Sequence, residues 1–246
     1  MYKASLRISL TLLGVASLIW FSYALSSLWS TKSVREISRA IEAGDRLRPS
    51  ALSHALSRVN IKLRFPGPDF LNAQALVRLA VAEKVIALGG NGDEDMVLAE
   101  AHLKFALSSA PSNGFLWLLL YSAQMNRSGF DQELLKFLNQ SYLTAPLEGW
   151  IALRRNRTAL AAYPMLSAST REKVLAEFAA LVDSGFIGEA VNNLTGPGWP
   201  IHEELLISLR QVDNIPREAL AKSLAETGLK LTVPGVEFDY KPWRRW

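Results

Sequence analysis

Residues 99–117 read AEAHLKFALSSAPSNGFLW, and residues 137–151 read FLNQSYLTAPLEGWI. Each passage closes a helix-spaced run with a small residue and a proline, Ala110-Pro111 in one and Ala145-Pro146 in the other. Each then regains a tryptophan, Trp117 and Trp150. In the first, Ala99, Leu103 and Ala106 recur at helical spacing before Pro111. Small residues let two helices approach closely, the large one fills the groove, and the proline ends the helix. The two prolines stand 35 positions apart. A helix–turn–helix unit recurring at about 34 residues marks a stacked-hairpin repeat, in which each unit buries its apolar face on the next. In the second passage Phe137 or Leu138 and Ser141 fill the matching places less regularly.

The pattern extends both ways. Upstream, Pro49 permits a helix start, with Ala51, Leu52, Ala55, Leu56 and Val59 on one face. Phe65-Pro66-Gly67-Pro68-Asp69 is a break. Leu71, Ala75, Leu79, Ala82 and Ile86 then make one stripe, ended by Gly89-Gly90-Asn91-Gly92. Met96, Ala99, Leu103, Ala106 and Leu107 make the next. Phe115 to Met125 is a third, broken at Ser128-Gly129. Asp131 reads as the N-cap for Gln132 to Leu143, and Pro146 as the opening of a helix through Ala161. Downstream, Ser169 or Thr170 caps a helix carrying Val174, Leu175, Phe178, Leu181 and Val182. Phe186 to Leu194 is shorter, Gly196-Pro197-Gly198-Trp199-Pro200 is a rigid turn, and Glu203–Val212 and Pro216–Thr227 form a further pair. Period-2 alternation is missing, and only Leu231 to Phe238 reads as extended. The soluble part is predicted to be all-α.

Over residues 70–161 the chain resembles the tetratricopeptide (TPR) superfamily, on Ala99, Leu103, Ala106, Pro111, Trp117, Leu120 and Tyr121. A second resemblance rests on Ser141-Tyr142, on Ala145-Pro146-Leu147-Glu148-Gly149-Trp150-Ile151-Ala152-Leu153-Arg154-Arg155-Asn156, on Gly196-Pro197-Gly198-Trp199-Pro200 and on the Pro-Trp-Arg ending. These runs look like membrane-anchored, TPR-like proteins of alphaproteobacteria associated with surface polysaccharide and O-antigen loci. That resemblance implies a place of work and no chemistry.

Before the repeats, Leu6 to Leu28 reads LRISLTLLGVASLIWFSYALSSL, with Arg7 its one charge. About 20 apolar residues in a helix cross a hydrocarbon core of about 30 Å. Trp20, Tyr23 and Trp29 fall where amphipathic rings favour the headgroup zone. Lys3 and Arg7 precede the span, and Lys32, Arg35 and Arg39 follow it, so charge alone orients it weakly. The short tail favours a cytoplasmic N-terminus with the domain in the periplasm, in the inner membrane of a bacterium. A cleaved signal peptide, with Ser22 and Ala24 at the cleavage site, is the alternative. The expected organisation is a single N-terminal transmembrane helix as signal anchor (1–30), a helical stalk and linker (31–68) and TPR-like hairpin repeats (69–162). Extra C-terminal helices with a basic aromatic tail (163–246) act as a cap.

Composition limits the chemistry. With no cysteine among 246 residues, disulfides, thiolate catalysis and Cys-type zinc sites are out. A net charge of +4 is far from the basic stripe of a nucleic-acid binder. His54, His102 and His202 are scattered; His102 reads as a partly buried, satisfied histidine, and His202-Glu203-Glu204 lacks the second histidine of HExxH. Gly89-Gly90-Asn91-Gly92 follows a helix where a dinucleotide-binding turn follows a strand. Asp93-Glu94-Asp95 reads as first-turn charge complementing a helix dipole. The sequons at Asn126, Asn139, Asn156 and Asn193 read as incidental. Arg154, Arg155 and Arg157 cluster beside Trp150 and read either as a cation group for carboxylates or as a solvated helix end. The tail Asp239 to Trp246 interleaves aromatics with cations, a pattern for a headgroup surface, an acidic or sugar partner, or simple packing.

No catalytic, cofactor or metal residues are expected. A protein partner, a membrane enzyme or transporter of the cell envelope, is expected on Trp117, Tyr121, Trp150, Arg154 and Arg155, because interfaces are enriched in aromatics and arginine. The resulting expectation is a non-enzymatic, membrane-held periplasmic adaptor or scaffold. Two rivals stand beside it: a glycan-active envelope enzyme with a carboxylate pair, and a periplasmic holdase chaperone.

Overall fold

The computed structural model of the chain describes residues 13–15, 17, 39–41, 49–60, 66–229 and 231–237. All regular structure among them is helical, as the sequence predicts. Leu13, Gly14, Val15 and Ser17 of the apolar stretch are helical and exposed. The rest of the proposed anchor, with Trp20, Tyr23 and Trp29, lies outside the described residues, as do most of the stalk and the aromatic tail. Among the described residues no helix is long and apolar enough to cross a membrane. The chain divides into two compact units, Met1–Ala110 and Pro111–Trp246.

From Pro49 on, the described residues of the first unit form three helices: α1 (Pro49–Val59), α2 (Pro68–Ala87) and α3 (Asp93–Ser109). Pro68 at the first turn of α2 costs nothing, because that N–H has no helical partner anyway. Leu52, Ala55 and Val59 of α1 pack on Phe70, Ala73 and Val77 of α2, with Ile41 at the edge. Gln74 donates to the Val59 carbonyl at 2.9 Å and Arg78 to the Asn60 side chain at 2.7 Å, which ties down the end of α1. The turn from α2 to α3 relies on two glycines. Gly89 takes φ +79°, and a Cβ on Gly92 would stand 2.5 Å from Ile86 Cγ1. Ile86 is itself exposed, so the predicted α2 stripe ends at Ala82. In α3 the predicted small–large–small set, Ala99, Leu103 and Ala106, is wholly buried.

The second unit carries α4 (Gly114–Ser128), α5 (Leu135–Thr144), α6 (Gly149–Ala161), α7 (Ala168–Asp183), α8 (Ile187–Thr195), α9 (His202–Ser208) and α10 (Asn214–Glu226). Neighbours in sequence pair, α4 with α5 and α6 with α7; α8, α9 and α10 gather around α7. Asn113 caps α4 by accepting from the Phe115 and Leu116 N–H groups. Gly114 is required by closeness: a Cβ there would collide with the Ala145 methyl, so α5 ends against the start of α4.

Four local expectations are corrected. Asp131 caps a single 3₁₀ turn, Gln132–Leu134, and α5 starts only at Leu135. Pro146 sits in a turn, and α6 begins three residues later at Gly149, after Leu147 has taken the left-handed φ of 55°. Ser167 caps α7, accepting from the Thr170 N–H at 3.3 Å, because the helix starts at Ala168. Residues 231–237, after α10, are not a strand, and Phe238 lies outside the described residues. The stretch turns at Pro234-Gly235 and is held by Arg217 donating to the Pro234 carbonyl at 2.5 Å.

Candidate functional site

Helix α6 sorts its residues by face. Ile151, Ala152, Arg155, Asn156, Ala159 and Leu160 are buried, the i, i+1, i+4, i+5 pattern of an inward stripe. Trp150, Arg154 and Arg157 recur at i, i+4, i+7 on the other side. Two adjacent arginines therefore have opposite fates, since neighbours on a helix point about 100° apart.

Arg155 points inward and is 0 % exposed. The sequence reading placed it on a contact surface, and the structure corrects that. Its Nε and Nη2 donate to Glu177 Oε1 of α7 at 3.0 and 2.5 Å. Nη1 donates to the Ser141 carbonyl at 2.7 Å and Ser141 Oγ at 3.1 Å, and Nη2 to the Ala145 carbonyl at 3.0 Å. Those carbonyls belong to the end of α5, which favours positive charge; Ser141 also accepts from the Ala145 N–H at 3.1 Å. Tyr142 donates to Glu177 Oε2 at 2.7 Å, and the guanidinium lies 4.1 Å from the centre of the Tyr142 ring. Burial, then the Glu177 charge beside it, pushes the Tyr142 hydroxyl well above its ordinary range. Burial also raises the Glu177 carboxyl, against the pull of Arg155 and of hydrogen bonds from Arg155, Tyr142 and Asn156. A second chain of buried amides continues the network: Asn193 donates to Asn156, which donates to the Val174 carbonyl. Two of the four sequons are thus spent inside the unit. The set is closed to solvent, so it fastens α5, α6, α7 and α8 and offers nothing to a ligand.

The outward face is different. Trp150 is 41 % exposed and packs tilted on Phe115, with centroids 4.7 Å apart. The Arg154 guanidinium covers the same Phe115 ring at 5.4 Å. Leu143 in the last turn of α5 and Leu147 in the α5–α6 turn are also exposed, Leu147 by 60 %. A leucine at positive φ costs about 1–2 kcal/mol; here it leaves an apolar side chain out in water, three residues before Trp150. Of the residues expected at a partner surface, the structure brings Trp150 and Arg154 together through Phe115. Trp117 is half-buried, stacked on Phe137 at 5.9 Å, and its indole N–H donates to the Pro111 carbonyl at 2.8 Å. Tyr121 is buried, which raises its hydroxyl, and it is corrected to a core residue.

Sequence reasoning missed Leu143 and Leu147; two leucines flanking Ala-Pro with no helical partner were the available signal. It also passed over the inward phase of Arg155, although Ile151, Ala152, Ala159 and Leu160 set that phase and Glu177 lies in the matching stripe of α7.

No protein-family model, curated protein or solved structure matches the chain. The class that its own fold defines is an all-α protein of paired helices with one aromatic and cationic face on α6.

Proposed function

We propose that this protein is a bitopic, non-enzymatic adaptor: a single N-terminal helix (within 1–30) anchors it in a bacterial inner membrane, and a TPR-like hairpin domain works in the periplasm. Its partner is a membrane enzyme or transporter of surface polysaccharide synthesis or export. The anchor reading rests on the apolar run Leu6–Leu28, and the pathway on the resemblance of the Ala145–Asn156 run. The observation that carries the adaptor role is the Trp150–Phe115–Arg154 group together with the exposed Leu143 and Leu147 before it in the sequence. Trp150, Leu143 and Leu147 are exposed apolar side chains, Trp150 and the Arg154 cation are seated on the buried Phe115 ring, and exposed aromatic and apolar groups with arginine mark contact surfaces.

The test is affinity capture of the full-length chain from native membranes, with co-purifying proteins identified by mass spectrometry. The expected result is a stoichiometric polymerase, ligase or export component, lost with Trp150→Ala and weakened about tenfold with Arg154→Ala. A chain that emerges alone, or keeps the same partner with Trp150→Ala, overturns the reading.

A further inference from the structure

The sequence holds two Asn-Gly steps, Asn91-Gly92 in the first unit and Asn113-Gly114 in the second. An asparagine followed by glycine is chemically labile. The backbone nitrogen of the glycine can attack the side-chain carbonyl carbon of the asparagine, because no Cβ on the glycine obstructs the approach. The reaction asks two things of a fold. The asparagine amide must swing to that nitrogen, and the glycine peptide unit must turn to meet it.

At Asn113 both are denied. Its Oδ1 accepts from the Phe115 N–H at 3.1 Å and the Leu116 N–H at 3.2 Å, which makes it the N-cap of α4. Gly114 is the first residue of that helix and is buried against the Ala145 methyl and the Ser141 carbonyl. Attack would break both cap bonds and lift Gly114 off the end of α5. At Asn91 the hold is slighter. The residue is exposed in the α2–α3 turn, and its Oδ1 accepts from the Asp93 N–H at 3.3 Å. Gly92 precedes α3 and is buried against the Ile86 side chain and the Ala82 carbonyl, but Ile86 is itself exposed and can move aside. Charge does not separate the steps. Asp93, Glu94 and Asp95 oppose the negative charge that develops on the Gly92 nitrogen, while the start of α3 favours it, and surface water screens both.

We propose that Asn91 is a site of spontaneous deamidation in the folded protein and that Asn113 is protected by its cap. The Gly92 nitrogen bonds to Asn91 Cγ, and the bond from Cγ to the side-chain nitrogen breaks. That nitrogen leaves as ammonia and carries away the proton of the Gly92 N–H. The cyclic imide that remains takes up one water. Opening at Cγ gives aspartate in an unaltered main chain. Opening at the main-chain carbonyl of residue 91 gives isoaspartate, with the main chain rerouted through Cβ and Cγ. Nothing is oxidised or reduced, and water is the only co-reactant. Either product puts a further carboxylate beside Asp93, Glu94 and Asp95 at the head of α3. The second also lengthens the α2–α3 turn by a methylene. The inference does not depend on the adaptor reading or on its partner.

The experiment incubates the purified full chain in detergent micelles in heavy-oxygen water at mildly alkaline pH, once folded and once in urea. Peptide mapping by mass spectrometry then follows the heavy oxygen taken up at each Asn-Gly step. In the folded chain the label is expected at residue 91 at least about fivefold faster than at residue 113, the factor that one side-chain cap is worth. In urea the cap is gone, and the two rates should draw together. A folded chain with no label at residue 91, equal rates at the two steps in the folded chain, or a ratio that urea leaves unchanged overturns the proposal.

Discussion

Helices α3 and α5 occupy like places in the sequence pattern, each ending in Ala-Pro, yet the two units hold them differently. In α3 the inward positions Ala99, Leu103 and Ala106 are apolar, and the one polar side chain buried with them is Glu100. In α5 they are Leu138, Ser141, Tyr142 and Ala145, and three of the four join the Arg155–Glu177 network by side chain or carbonyl. Apolar packing is nondirectional and degrades gradually as atoms are removed. A buried polar network is directional, and one missing member leaves another uncompensated. The difference teaches that the same hairpin geometry can be reached by shape or by hydrogen bonding, with unequal tolerance to change.

The sharpest break in that comparison is Arg155→Met against Leu103→Met. Both put the same unbranched side chain of methionine in a buried place. Losing the guanidinium strands Glu177 and the Ala145 carbonyl and should cost about 3–5 kcal/mol, whereas the volume-conserving swap in α3 should cost less than about 1.5 kcal/mol. Urea unfolding of the full chain followed by circular dichroism measures both. Adding Glu177→Met to Arg155→Met should restore a large part of the loss, because no buried charge then remains. Equal costs for the two single changes would erase the distinction between the units.

A smaller effect is expected at Leu147. Replacement by glycine relieves the positive φ and removes an exposed leucine, so the second unit should gain about 1 kcal/mol. If this patch is the partner surface, the same change should weaken capture of the partner. Stability and binding moving in opposite directions would mark Leu147 as kept for contact.

The smallest expected effect sits in the first unit, at His102. Burial, then the Arg78 charge, lowers its pKa below 6.5. The unfolded chain therefore takes up this proton before the folded chain does. As pH falls from 6.5 toward the folded value, stability should drop, and it should be level above that window. His102→Gln should flatten this part of the profile in thermal melts taken across pH. A slope that survives the substitution would place the titrating group elsewhere.

The helical class and most helix limits were legible in the sequence, because glycine, proline and side-chain caps act locally. The breaks at Gly89–Gly92 and Pro111–Gly114 follow from φ preference and missing donors alone. Starts set by tertiary contact were less legible. Pro146 is chemically able to open α6, but Gly114 needs α5 to end against it at Ala145, and the chain spends Leu147 and Glu148 turning away. Site residues were legible by type more than by direction. Arg154 and Arg155 are the same residue, and only the phase of α6 against α7 separates a surface cation from a buried one.

The Arg155 network also sets an order on the making of the protein. The last carbonyls of α5 wait for Arg155, and Arg155 waits for a counter-charge that lies 22 residues further on. At about 5–20 residues per second, synthesis delivers Glu177 roughly one to four seconds after the arginine. Until then the α4–α5 hairpin can form its turns but cannot dry its end, so the emerging chain carries a hydrated seam that closes only when α7 arrives.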